Sequence, residues 1–233
     1  MVDNCIAIIT ARGGSKRIPG KNARNFLGQP IINYPVYAAL QARCFDDVMV
    51  STDDSSIKKI AEDAGATVPF MRSDNNSNDE ATTTDVLLEV IENYKSAGKT
   101  FTYGCCIYPT AVFVTAEKLR AAYQKFIDSG ADSLVPVVRY GFPIQRSMKI
   151  QEGLLRMNWP EHLSTRSQDL PPAYHDCGQF YFFKVASLIE KRALFTDFTI
   201  PFEISEMDAQ DIDVEEDWKV AELKYQMLQS KKS

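Results

Sequence analysis

Apolar runs of strand length alternate along this chain with stretches whose apolar positions recur at helical spacing. Cys5 to Ile9 is the first such run, and it feeds a turn-rich segment that extends to Asn22. Gly28-Gln29-Pro30 then precedes a helical stretch from about Ile31 to Cys44, where Pro30 and Pro35 are tolerated only near the start. Val48-Met49-Val50 reads as a strand ending in Ser51-Thr52-Asp53-Asp54, after which Ile57, Ile60, Ala61 and Ala64 mark a helix stopped by Gly65. Thr67 to Phe70 reads as a short strand, followed by Arg72 and the polar loop Ser73 to Glu80, whose composition suits a mobile surface segment near a site. Val86, Leu87, Val90, Ile91 and Tyr94 share one helical face, and Tyr103 to Tyr108 is a strand ended by Pro109-Thr110. Thr115 caps a helix with Leu119, Ala122, Tyr123, Phe126 and Ile127 inside and Gly130 at its end, and Ser133 to Val138 is the next strand. Repeated strand-then-helix units predict a doubly wound α/β fold: a mostly parallel sheet, helices on both faces, and ligands at the carboxyl ends of the strands.

The alternation breaks between Arg139 and Asp176. This stretch holds Tyr140, Phe142, Trp159 and Tyr174, four prolines and the string Arg166-Ser167-Gln168-Asp169. It is too long for an ordinary loop and too apolar for disorder, so it reads as an inserted arm of the kind that packs on another subunit. Residues 1–138 and 177–233 then form the core and residues 139–176 a dimerisation arm. Gly178 to Phe183 resumes the sheet, Ala186 to Leu194 is a helix, and Gln210 to Val214 leads into a terminal helix with Trp218, Ala221, Tyr225 and Leu228 on one face. Ser230 to Ser233 reads as a frayed end.

Composition narrows the class. The 233 residues are 45% hydrophobic, enough for a sizeable core. A net charge of -5 argues against nonspecific nucleic-acid binding, which uses broad basic faces. The five cysteines contain no C-x-x-C pair and sit mostly in apolar runs, as core thiols in a reducing compartment do. With neither a signal-peptide pattern nor an apolar run of about 20 residues, the expectation is a cytoplasmic protein with no membrane partner.

Against that acidic background the segment Cys5 to Asn22 stands out, because Gly13, Gly14 and Gly20 coincide with Arg12, Lys16, Arg17 and Lys21. Glycines let backbone N–H groups approach an anion and the cations neutralise it, which points to a polyphosphate cradle, with a solvated basic loop as the plain alternative. Neither the Walker A spacing nor G-x-G-x-x-G is present. Asp211 and Asp213 stand two apart on an extended segment, so both carboxylates face one way and suit Mg²⁺ shared with substrate phosphates. Asp213 also lies three residues before Glu216 and fits a capping box. Asp53 reads equally as a strand-end site residue or a helix cap. His162 and His175 read as structural or rim residues, and two histidines with no G-x-S-x-G argue against a serine hydrolase.

ARGGSKRIPGKN, VSTDD, YPT, RSQDLPPAYHDCGQFYFF and QDIDVEEDW occur in the order seen in CMP-sialic acid synthetases, and the set most resembles the bacterial pseudaminic acid cytidylyltransferase branch. The resemblance covers nearly the whole chain. It implies a Rossmann-like nucleotidyltransferase fold, Mg²⁺ dependence, a homodimer built through the arm, and transfer of CMP from CTP to a nine-carbon 2-keto acid sugar with release of pyrophosphate. Such a product serves surface or flagellar glycan synthesis. Residue by residue it implies that Ala11, Arg12, Gly13, Gly14, Ser15, Lys16, Lys21 and Asn22 hold the nucleotide with help from Arg72. It puts Asp211 and Asp213 on the metal, and Arg12 and Lys21 with them in catalysis. Tyr108, Arg166, Gln168 and Gln179 fall at sugar positions. Tyr108 departs from the Leu-Gln-Pro-Thr common in sialic acid synthetases, which counts against N-acetylneuraminate, while the Arg166 to Phe183 string favours the pseudaminic branch. Legionaminic, N-acetylneuraminic and 3-deoxy-octulosonic acids are the alternative acceptors, and a catalytically silent nucleotide binder is the non-enzyme alternative.

Overall fold

Successive residues of the first strand are buried on both sides, as the central strand of a layered α/β protein requires. The computed structural model describes residues 4–230; residues 231–233 of the expected frayed end lie outside the described residues, while Ser230 closes the terminal helix. In chain order the strands are β1 (Cys5–Thr10), β2 (Asn25–Phe26), β3 (Gln29–Pro30), β4 (Asp47–Ser51), β5 (Tyr103–Ile107), β6 (Ser133–Arg139), β7 (Met148–Gln151), β8 (Leu154–Met157), β9 (Tyr174–Asp176), β10 (Phe180–Lys184) and β11 (Thr199–Glu203). The helices are α1 (Asn33–Ala42), α2 (Ser55–Asp63), α3 (Thr83–Ser96), α4 (Ala116–Ser129), α5 (Val185–Lys191) and α6 (Glu215–Ser230).

The main sheet has the order β11-β6-β10-β5-β1-β4, with β9 added on β6. β4, β1 and β5 run parallel, as do β6 and β11, while β10 lies antiparallel between β5 and β6. Gly178 to Phe183 therefore rejoins the sheet as expected, but as its reversed strand. Ala7, Ile9 and Phe182 face one layer with Val36, Leu119, Ala122 and Phe126. Ile6, Ile8 and Phe183 face the other with Leu87, Val90, Ile91 and Tyr94. The expected helical faces are thus the buried ones.

A third, smaller core holds the ends of the chain together. Trp218 and Ala221 of α6 pack with Ile18, Phe26, Ile31, Phe113 and Ile212. Ile18 lies within the glycine loop and is fully buried, so the terminal helix clamps that loop.

Several local expectations change. Thr67 to Phe70 makes only one bridge, Met49 to Thr67, because the chain leaves the sheet edge at once. Thr115 and Gly130 bound α4 as expected, the threonine accepting from the Lys118 N–H. All five cysteines are free thiols. Within the arm segment β7 and β8 form a separate exposed hairpin, whereas β9 pairs antiparallel with β6 and belongs to the sheet. No helix among the described residues is long and apolar enough to cross a membrane.

Asp132, just before β6, fastens this half of the sheet to α5 and the following loop. It accepts from Lys191 Nζ at 2.6 Å, Ser187 Oγ at 2.8 Å and Thr196 Oγ1 at 3.1 Å. These bonds, that from Lys191 first, hold its carboxyl down to about 2. Its contribution to stability is therefore complete above the unfolded value of about 3.9 and is lost as pH falls towards 2. Asp132→Asn is expected to lower stability at pH 7 and to flatten the acid-side decline, measured by urea denaturation between pH 2.5 and 7.

Candidate active site

β1 ends at Thr10 between β4 and β5, and the chain leaves the sheet there through the glycine loop, at the carboxyl ends of three parallel strands. Ala11 still belongs to the core, with its N–H on the Ser51 carbonyl and its methyl fully buried. Gly13 donates its N–H to Asp53 Oδ1 at 2.8 Å, and a Cβ on Gly13 would lie 2.8 Å from Asp54 Oδ2. The capping reading of Asp53 is thereby corrected. Asp54 caps α2 by accepting from Ser56 and Ile57, which leaves Asp53 to anchor the loop. Gly14 opens on free space, and Gly20, at φ 64°, turns the chain into a short 3-10 helix. Asn22 is buried, and its Nδ2 donates to the Arg12 carbonyl at 2.8 Å while its Oδ1 has no partner.

One cleft of about 630 Å³ brings together Arg12, Ser15, Lys16, Arg17, Lys21 and Asn22 of the loop with Arg72, Tyr108, Asp211 and Asp213. Arg72 is nearly buried and held rigid, its Nε donating to Ser51 Oγ at 3.0 Å and Nη2 to the Ser51 carbonyl at 2.6 Å. Burial lowers its pKa, against the pull of Asp53 and Glu89. Lys21 donates to the Ile212 carbonyl at 2.5 Å and lies 3.7 Å from Asp213, and its pKa too is lowered by burial. Burial and then Asp213 raise the pKa of Asp211. The box expected between Asp213 and Glu216 is not formed: Asp217 accepts the N–H groups of Asp213 and Val214, so the Asp213 carboxylate is left to face Arg17 at 2.8 Å.

Tyr108 separates this cleft from a second cavity of about 530 Å³ that shares Thr82 and Thr83 with it and reaches Asp176 and Tyr181. The Tyr108 and Thr83 hydroxyls are 3.3 Å apart, and the Tyr181 hydroxyl donates to Asp176 with oxygens at 2.7 and 2.9 Å. Gln179 lines neither space. It is 1% exposed, and its Nε2 donates to the Asp208 carbonyl at 2.7 Å. Arg166 and Gln168 lie on the arm, where Gln168 lines a separate pocket with Arg139 and Tyr140. His175 Nδ1 donates to the Asp176 carbonyl at 2.8 Å and the ring packs on Tyr140, while His162 sits in a short arm helix, so both are rim residues.

The sequence reading missed Asp53 as an anchor and Asn76, Asn78, Asp79, Thr82 and Thr83 as cleft walls. The only signal was the dense Asn and Asp content of Ser73 to Glu80, which marked a loop but not its direction.

Fold and cleft together define an α/β protein of the nucleotidyltransferase class. The family model described as cytidylyltransferase matches residues 6–225, and the chain belongs to that family. It is 38% identical to the pseudaminic acid cytidylyltransferase of Campylobacter jejuni over 95% of this chain and 96% of that one. It is 29% identical to the CMP-N,N'-diacetyllegionaminic acid synthase of Legionella pneumophila over 93% of this chain and 94% of that one. The fold is shared with a CMP:2-keto-3-deoxy-manno-octonic acid synthetase solved with CTP, at TM-score 0.70 and 16% identity over 98% of this chain and all of that one.

A carboxylate hydrogen bond of the Gly13–Asp53 kind is worth about 1.5–3 kcal/mol. Asp53→Ala is expected to weaken CTP binding about tenfold or more while lowering the melting temperature by only several degrees, as read by calorimetric titration and thermal melting. A melting temperature that collapsed with binding would make Asp53 a fold residue instead.

Proposed function

We propose that this protein transfers CMP from CTP to pseudaminic acid, releasing pyrophosphate. The observation that carries the reading is the near full-length 38% identity to a pseudaminic acid cytidylyltransferase, in a chain whose loop cations and acid pair share one cleft. The sugar's anomeric hydroxyl attacks the α-phosphorus in line as the bond to pyrophosphate breaks, so no covalent nucleophile from the protein is needed. Arg12, Lys16 and Lys21 hold and neutralise the phosphates, the loop N–H groups approach them over Gly13 and Gly14, and the rigid Arg72 lies towards the base.

Asp211 and Asp213 fit a hard cation. They are paired oxygen donors lining one cleft, and burial with the neighbouring Asp213 raises the pKa of Asp211, a penalty that a cation would relieve. Asp211 and Asp213 would hold Mg²⁺ there, and its charge would neutralise phosphate oxygens as negative charge builds on them.

The second cavity, across Tyr108, suits the sugar. Its Asp176 makes no ion pair among the described residues, which favours hydroxyl and amide donors over the sugar carboxylate. Arg166 would meet that carboxylate from a second copy. Supporting this, the β7–β8 hairpin exposes Met148, Ile150, Leu154 and Leu155, and an isolated hairpin is marginal unless its apolar side is covered. Residues 139–176 then act as a dimerisation arm on the core. Free, mostly buried thiols suit the cytoplasm, where the product would supply surface or flagellar glycan synthesis.

Pyrophosphate release from CTP and Mg²⁺ is expected with pseudaminic acid, and not with N-acetylneuraminic or 3-deoxy-octulosonic acid; EDTA should abolish it. Release with legionaminic acid alone would keep the chemistry and change the acceptor. Arg12→Ala or Lys21→Ala is expected to lower turnover by about 10² or more, the scale of losing a pre-organised donor at a developing charge. Light scattering should return a dimer, and a monomer at assay concentration would sink the shared site.

A further inference from the structure

Each cation of the glycine loop meets an acid in the cleft. Arg17 and Lys21 face Asp213. Arg12 and Lys16 both face Asp79, which the proposed reaction does not use. Arg12 Nη1 donates to Asp79 Oδ1 at 2.9 Å and to the Asn78 carbonyl at 3.1 Å, and Lys16 Nζ takes the other Asp79 oxygen.

The segment that carries Asp79 is fastened at both ends to α3. Glu89 accepts from Ser73 N at 2.8 Å, from Ser73 Oγ at 2.7 Å and from the Asn76 amide. Thr82 and Asp85 form a reciprocal cap at the other end. Between them Asn78 Oδ1 accepts from the N–H groups of Glu80 and Ala81 at 2.8 and 2.9 Å, a local turn that presents Asp79 to the cleft. The carboxylate is thus delivered by a built strap to the two cations on which phosphate oxygens depend.

Arg12 and Lys16 cannot serve Asp79 and a phosphate at full strength together. We propose that Asp79 is an internal competitor for the polyphosphate subsite: it occupies Arg12 and Lys16 in the empty cleft, yields to the nucleotide, and returns as pyrophosphate departs. This inference rests on the proposed reaction and adds a residue that sets how tightly its product is held. The Asp79 side chain is 48% exposed, so each of its pairs is weak and screened by salt, as a displaceable counter-charge has to be. Any ligand that engages Arg12 and Lys16 bears the cost of displacing it, and a ligand without phosphate does not.

The test compares wild type, Asp79→Asn and Asp79→Glu by calorimetric titration with magnesium-free pyrophosphate, with CTP and with cytidine. Asp79→Asn is expected to bind pyrophosphate about five- to tenfold tighter at low ionic strength, with the gain fading at high salt and cytidine affinity unchanged. Asp79→Glu is expected to restore the wild-type value, and Asp79→Ser, a second neutral variant, to move the same way as Asn. In turnover, pyrophosphate becomes a correspondingly stronger product inhibitor of Asp79→Asn. Unchanged or weaker pyrophosphate binding by both neutral variants, beside intact CTP binding, overturns this inference alone. An equal change for cytidine overturns it by showing a reshaped cleft, and failure of the wild type to bind either pyrophosphate or CTP removes the polyphosphate subsite and the proposed reaction with it.

Discussion

Four like charges gathered at the end of β1 repel one another, and the surroundings of the cleft are organised around holding them there without a ligand. Asp213 faces Arg17 and Lys21, and Asp79 faces Arg12 and Lys16. Because these pairs are largely exposed, each contributes little to stability. Their effect is to keep the cations pointed into the cleft.

Position is enforced beneath the charges by two buried side chains and one exposed carboxylate. Ile18 is sealed into the small core under α6, Asn22 reaches back to the Arg12 carbonyl, and Asp53 takes the Gly13 N–H. A loop rich in glycine has a high entropic cost of ordering. Here that cost is offset by one buried isoleucine and two polar anchors. The terminal helix is therefore tied to the site as well as to stability: it carries Trp218 against Phe26, at 5.5 Å between ring centroids, and follows directly on Asp211 and Asp213.

The reversed strand β10 has a similar double part. Phe182 and Phe183 fill the two cores on either face, and the residues just before the strand place Gly178 beneath Asp211. Across the same strand Tyr181 reaches Asp176 and packs 5.4 Å from Tyr108. The wall between the two cavities thus stands on the sheet, with Tyr108 directly after β5 and Tyr181 within β10.

The chain's own pattern determined the layered α/β plan, the helical faces from Val86 to Tyr94 and from Leu119 to Phe126, and the coincidence of glycine with charge between Arg12 and Lys21. Those features depend on local period and on chemistry within a few residues, and both are visible in one dimension. Tertiary structure alone decided which of Asp53 and Asp54 caps α2 and that Asp217 rather than Asp213 closes the start of α6. It also reversed β10, buried Gln179, and turned Asp79 towards Arg12. Each of these depends on partners about 30 to 200 residues away or on a choice between neighbouring carboxylates of equal intrinsic preference. Spacing along the chain cannot make such choices, because they are set by which backbone groups the packed sheet leaves within hydrogen-bonding reach.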